Sequence, residues 1–120
     1  MSRYEDLLVW RLSYALSQRV KALTGKFPRH ERFELTSQLR RAVRSVPANL
    51  VEGSGLKGPA GFARHVRIAL GSLREVEYLL LEAHSDGYIT QAEHEEVRGD
   101  IRHVRILMFR LLRSLQRAAE

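Results

Sequence analysis

Two stretches of the chain repeat apolar side chains at alternating spacings of four and three, and few folds accept that rhythm. The first is Phe62, Val66, Ala69, Leu73, Val76, Leu80 and Ala83; the second is Val97, Ile101, Val104, Met108, Leu111, Leu115 and Ala118. This spacing averages 3.5 residues, so each set forms one stripe along a helix and makes the seam of a left-handed bundle. No segment alternates apolar and polar residues in twos, as a half-buried strand would.

The rest of the chain supplies two more helices. Val9, Leu12, Leu16, Val20 and Leu23 share a face of a helix expected from about Tyr4 to Leu23, closed by Thr24-Gly25 and Phe27-Pro28. A second helix, from about Arg32, carries Leu35, Leu39, Ala42, Val46 and Asn49. The glycine-rich "EGSGLKGPAG" at 52–61 reads as a loop, and Pro59 suits the first turn of the third helix. "SDGYIT" at 85–90 breaks the third helix from the fourth, with Gly87 as a left-handed stop and Thr90 with Glu93 as a capping box. Four helices with short connections predict an all-α, antiparallel up-and-down four-helix bundle, a single domain over residues 1–120. That length suffices for a core without staples.

"RRAVRSVPANLVEGSG" at 40–55 places a proline where the second helix should be core-facing. Pro47 offers no N–H to the Val43 carbonyl and crowds it. The apolar rhythm Leu39, Val43, Val46, Leu50 nevertheless survives across it, favouring a continuous helix kinked at Pro47 over a break at Ser45-Val46. Asn49 falls on the seam and requires partners, Ser72 of helix 3 or backbone freed by Pro47. Glu52 has Arg64, Arg40 and loop N–H groups as candidate donors. Asn49, Glu52 and Ser72 are therefore read as structural polar groups. Gly71-Ser72 in mid-helix suggests a close approach of helices.

Helix 4 carries more apolar surface than one seam needs. Seven of the nine residues from Val104 to Leu112 are apolar, the exceptions being Arg105 and Arg110. A helix apolar over most of its circumference is buried on more than one side. The surplus predicts a subunit interface through Ile106, Phe109 and Leu112; the alternative is a wide intramolecular face with Phe109 at its edge.

The net charge is +6, and it is unevenly placed. Glu75, Glu77, Glu82, Asp86, Glu93, Glu95 and Glu96 occupy residues 75–97 with no lysine or arginine among them. The flanking regions are basic: Arg40, Arg41 and Arg44 cluster on helix 2, and Arg64, Arg67 and Arg74 on helix 3. On helix 4, Arg98, Arg102 and Arg105 form one flank and Arg110, Arg113 and Arg117 another. Lysine is confined to Lys21, Lys26 and Lys57. Arginine suits forked contacts to phosphate or carboxylate, although a GC-rich genome also favours its codons. Such stripes attract RNA or DNA, and they equally attract acidic protein partners or a neighbouring subunit. Aromatic residues are few, so stacking of single-stranded bases is not expected.

Other function classes lack their residues. There is no cysteine, which excludes disulfides and thiolate metal sites and agrees with a cytoplasmic location. The N-terminus has Glu5 and Asp6 and no long apolar run, so no secretory signal or membrane span is expected. His94 and His103 are nine apart, His65 and His84 nineteen, and "HEE" at 94–96 lacks a second histidine; no metal site is expected. "GSGLKGPAG" follows a helix rather than a strand and is no phosphate loop, and Ser45, Ser54 and Ser72 have no triad partners. Neither a cofactor nor catalysis is expected.

Several stretches together resemble a known family. They are Leu8-Val9-Trp10, Phe27-Pro28 with Glu31, Gln38-Leu39-Arg40-Arg41-Ala42, Ser45-Val46-Pro47-Ala48-Asn49 with Glu52-Gly53, and Ala69-Leu70-Gly71-Ser72-Leu73-Arg74-Glu75. They are similar to the four-helix-bundle proteins named for 23S rRNA intervening sequences, to which accessory proteins of diversity-generating retroelements are related. The resemblance implies a small cytosolic bundle that assembles as a ring-like homopentamer; for the retroelement relatives it implies binding of nucleic acid and a reverse transcriptase through basic surfaces. Where family members carry a basic, serine-bearing segment, this chain has "GSGLKGPAGF" with Lys57 alone. The expected function is a non-enzymatic oligomeric scaffold or adaptor with sequence-independent nucleic-acid binding through Arg40, Arg41, Arg44, Arg64, Arg67, Arg102, Arg105, Arg113 and Arg117. The alternative is a purely protein-binding module.

Overall fold

The computed structural model describes residues 7–56 and 58–120. The expected helix start at Tyr4, the acids Glu5 and Asp6, and Lys57 lie outside the described residues. Within them the chain forms α1 (Leu8–Thr24), a 3-10 turn (Arg29–Glu31), α2 (Leu35–Ser54), α3 (Pro59–Ser85) and α4 (Gln91–Ala118), with no strand. Each helix packs on its chain neighbours, and α1 also packs on α4, closing an antiparallel up-and-down four-helix bundle. The molecule is 47 Å long, close to the roughly 42 Å of a helix as long as α4.

Local chemistry sets the boundaries. The second helix starts later than Arg32 because Glu31 organises the preceding turn. Its carboxylate accepts the Leu35 N–H at 3.4 Å and the Tyr88 hydroxyl at 2.9 Å. Phe27 folds under that turn, buried, with the Tyr88 ring 5.5 Å away. At the α3–α4 corner Gly87 takes φ 78, and Tyr88 N–H returns to the Ala83 carbonyl at 2.9 Å, the expected left-handed stop. The Thr90–Glu93 capping box forms in both directions, at 3.0 and 2.9 Å.

The α2 helix runs unbroken through Pro47, whose ring is buried. The core is aliphatic: Leu16 from α1, Leu39, Val46 and Leu50 from α2, Val66, Leu73, Val76 and Leu80 from α3, and Val97, Ile101 and Met108 from α4 are fully buried. Each large aliphatic residue so buried contributes roughly 2 kcal/mol.

Two expectations are corrected. The α4 seam shifts at its end, with Met108 followed by Leu112 and Leu115 in the core and Leu111 only half-buried. Leu112 is 8% exposed, so it belongs to the core and not to an outward interface. A straight helix has 3.6 residues per turn, so a strict four-three stripe drifts, and a step of four restores the core face. Gly71 is exposed, and a Cβ there would meet nothing within 4 Å, so it marks no close helix approach. Gly53 marks it instead, since a Cβ would lie 2.8 Å from His65 Cβ and 2.9 Å from Phe62 Cδ1.

Candidate nucleic-acid interface

An open groove of about 730 Å³ lies between α1 and α2. Its charged lining is Lys21 from α1 and Arg40, Arg41 and Arg44 from α2, with no acidic residue. Arg40 Nε donates to Thr24 Oγ1 at 2.8 Å, which ties that side chain across the two helices. Arg41 reaches Ser37 Oγ at a long 3.5 Å. Among the described residues, none of these four cations has an ion-pair partner.

The rest of the lining is uncharged: Ser17, Gln18 and Ser37 are polar, and the other residues are apolar or aromatic. Val43, Pro47, Ala48 and Val51 line the α2 side. On α1, Trp10 and Tyr14 stack with ring centroids 5.3 Å apart and planes inclined by 16°. Tyr14 is 49% exposed. Because α1 and α2 are antiparallel and Arg40 meets Thr24, the cations gather towards one end of the groove and the aromatic pair towards the other.

The other arginines named from sequence are dispersed. Arg64 and Arg67 are exposed on the early turns of α3, and Arg113 and Arg117 on the late turns of α4. Antiparallel packing sets both pairs at the same end of the bundle. Arg102 is exposed farther along α4. Arg105 is engaged: its Nη2 donates to Glu77 Oε1 at 2.7 Å across the α3–α4 seam. Glu82, Asp86, Glu93, Glu95 and Glu96 lie towards the opposite end, where Arg19 pairs with Glu96 and Asp100 and Lys26 with Glu93. The Lys26 bond and the cap hold the Glu93 carboxyl below its ordinary range. That end also carries Lys21, Arg40 and Arg41 on α1 and α2, so the acids and the groove cations share one end of the bundle on different helices.

The structural polar groups are partly as expected. Asn49 Nδ2 donates to the Ser45 carbonyl at 2.8 Å and to Ser45 Oγ at 3.0 Å, while its Oδ1 accepts from His65 Nδ1 at 3.0 Å. Ser72 joins through Ser45 rather than through Asn49 directly. Glu52 is exposed and has no bond to Arg64 or Arg40.

Sequence reasoning missed Trp10, Tyr14 and Lys21. Their positions, four and then seven apart, put them on one stripe of α1, a signal obscured because the apolar face of that helix was read alone. It also missed the His84–His94 pair, stacked at 4.5 Å from two different helices. Ile106 and Phe109 are 44% and 48% exposed on α4, with Tyr78 and Leu81 exposed on α3. No helix among the described residues is long and apolar enough to cross a membrane.

Comparison with known proteins agrees with this architecture. No curated protein matches the chain. A solved structure from Bacteroides thetaiotaomicron VPI-5482, described as a protein of unknown function from the S23 ribosomal protein family, superposes with a TM-score of 0.81 at 24% identity. The match covers 88% of this chain and 96% of that one. The family model for 23S rRNA-intervening sequence proteins matches residues 5–110. The chain belongs to the 23S rRNA-intervening sequence protein family.

Proposed function

We propose that this bundle is a non-enzymatic, oligomeric adaptor of the cytoplasm that binds nucleic acid through arginine and lysine without reading base sequence. The observation that carries this reading is the α1–α2 groove, where four unneutralised cations meet no acidic residue. Phosphates replace counterions at such a surface, so affinity falls steeply with salt. Four contacts on a single strand correspond to a log–log salt slope of about −3 per subunit. Assembly as a homopentamer, in keeping with the family resemblance, multiplies that slope. The exposed Ile106 and Phe109 supply apolar surface for the assembly.

Titration of labelled RNA and DNA against salt, read by anisotropy, tests the proposal. Binding at low salt with that steep slope, weakened by Arg41→Glu and Arg44→Glu, is expected. No binding of either polymer at low salt removes it. A second reading draws on the separate basic and acidic surfaces of the bundle, in which basic stripes of one copy meet acidic residues of another or of a protein partner. An assembly whose mass falls with salt while RNA and DNA fail to bind favours that reading.

A further inference from the structure

We infer that the α1–α2 groove is a binding site for single-stranded nucleic acid, its bases stacking on the Trp10–Tyr14 pair and its phosphates held by Lys21, Arg41 and Arg44. The inference rests on the nucleic-acid reading above and goes beyond it, because a purely electrostatic surface would not distinguish a single strand from a duplex.

Several observations converge on it. The groove sets an aromatic pair towards one end and cations towards the other, with Ser17, Gln18 and Ser37 also in its lining, and a nucleotide is likewise divided into planar base and charged phosphate. The aromatic pair is a platform: two rings nearly parallel, with Tyr14 half exposed at its edge. Every base has a face to offer such a platform, so stacking adds affinity without sequence preference. Tyr14 and Lys21 are seven residues apart on α1, about 10 Å of helical rise, so one short segment reaches both. The volume, about 730 Å³, lies in the range of sites that enclose small organic groups. Bases inside a duplex are stacked on one another and cannot be presented to the rings. The buried ring of Pro47 and the side chains of Val43 and Val51 keep the floor free of charge.

Trp10 is the only tryptophan, so intrinsic emission reports on this groove alone. The full-length protein is titrated with short oligouridylate, with oligothymidylate of the same length, and with a duplex of that length, following both Trp10 emission and anisotropy of the labelled strand. The single strands should quench Trp10 saturably and the duplex should not. Tyr14→Ala should weaken single-strand binding about tenfold and leave duplex binding unchanged, while Tyr14→Phe, which keeps the ring, should bind as the parent does. Quenching by RNA but not DNA, or by both, supports the site and reports which polymer it prefers. If anisotropy reports binding while Trp10 emission stays constant, or if Tyr14→Ala binds single strands normally, the inference falls and nucleic-acid binding by arginine survives. If no polymer binds, both fall. Thermal unfolding of Tyr14→Ala, compared with the parent, confirms that the variant is folded.

Discussion

Ser72 on α3 donates its hydroxyl to Ser45 Oγ on α2 at 2.9 Å, and this bond joins two helices inside an otherwise aliphatic seam. Ser45 Oγ also accepts from Asn49, and the Asn49 carbonyl oxygen holds His65 as its Nδ1–H tautomer. The four side chains satisfy one another, which explains how a seam position tolerates an asparagine.

Asn49→Leu should therefore destabilise the protein by about 1–3 kcal/mol, because it strips partners from His65 and Ser45 without removing those groups. Ser72→Ala removes one exchangeable hydroxyl and should cost only about 0.5–1.5 kcal/mol. Urea unfolding monitored by circular dichroism measures both. Equal midpoints for Asn49→Leu and the parent would show that the network adds nothing to stability.

Two glycines should respond to alanine with opposite signs. Gly53→Ala forces a methyl to within 2.8 Å of His65 Cβ at the α2–α3 crossing, and packed interiors resist such insertions by about 1–3 kcal/mol. Gly71→Ala meets open space on an exposed face of α3 and should stabilise by about 0.5–1 kcal/mol through helix propensity. Thermal midpoints that move in the same direction for both would contradict the packing described.

The fold was legible in the sequence because its main signal is cumulative. Seven apolar positions on α3 and five of the seven on α4 are buried in line with one period, and local stops such as Gly87 and Thr90–Glu93 confirm the ends. The α1–α2 groove was less legible. Arg40, Arg41 and Arg44 stand out as a basic cluster, but their meaning depends on what α1 sets opposite them. Trp10 and Tyr14 lie on the flank of the α1 stripe, and no periodicity within one helix reveals that Trp10 packs against the core while Tyr14 stays about half exposed. Arg105 shows the converse: it looks available in sequence, yet Glu77, twenty-eight residues away, engages it. Likewise Leu111 and Leu112 differ by one position, and only the packed neighbours decide which faces inward.

Stability should fall as pH drops from 7 towards 5, and His94 should contribute to the fall. Burial pushes the His94 pKa below its ordinary value, and the nearby His84 and Arg98 push it further, against an opposing effect of Glu95. The unfolded chain binds the proton near pH 6.5, whereas the folded chain binds it only at lower pH. Between those values the unfolded state holds more protons, so acid favours unfolding and stability rises with pH. Nuclear magnetic resonance titration of the ring should give a midpoint below 6.5, and His94→Leu should flatten the pH dependence of the urea midpoint in this window. A ring midpoint at or above the ordinary value would refute the assignment.

Phe109 and Leu112 lie one turn apart on α4, and the same substitution should separate their roles. Phe109 is 48% exposed, so Phe109→Arg places a charge in water within the subunit and should leave helicity and thermal midpoint of the monomer nearly unchanged. If copies of the chain cover that ring, the charge is desolvated between them and the assembly should dissociate, seen as a fall in mass by light scattering. Leu112 is 8% exposed and faces its own core, so Leu112→Arg should cost several kcal/mol and unfold the bundle whatever its oligomeric state. An oligomer of unchanged mass carrying Phe109→Arg would remove the α4 outer face from the contact. A parent protein that is already monomeric would show that Ile106 and Phe109 are simply solvated.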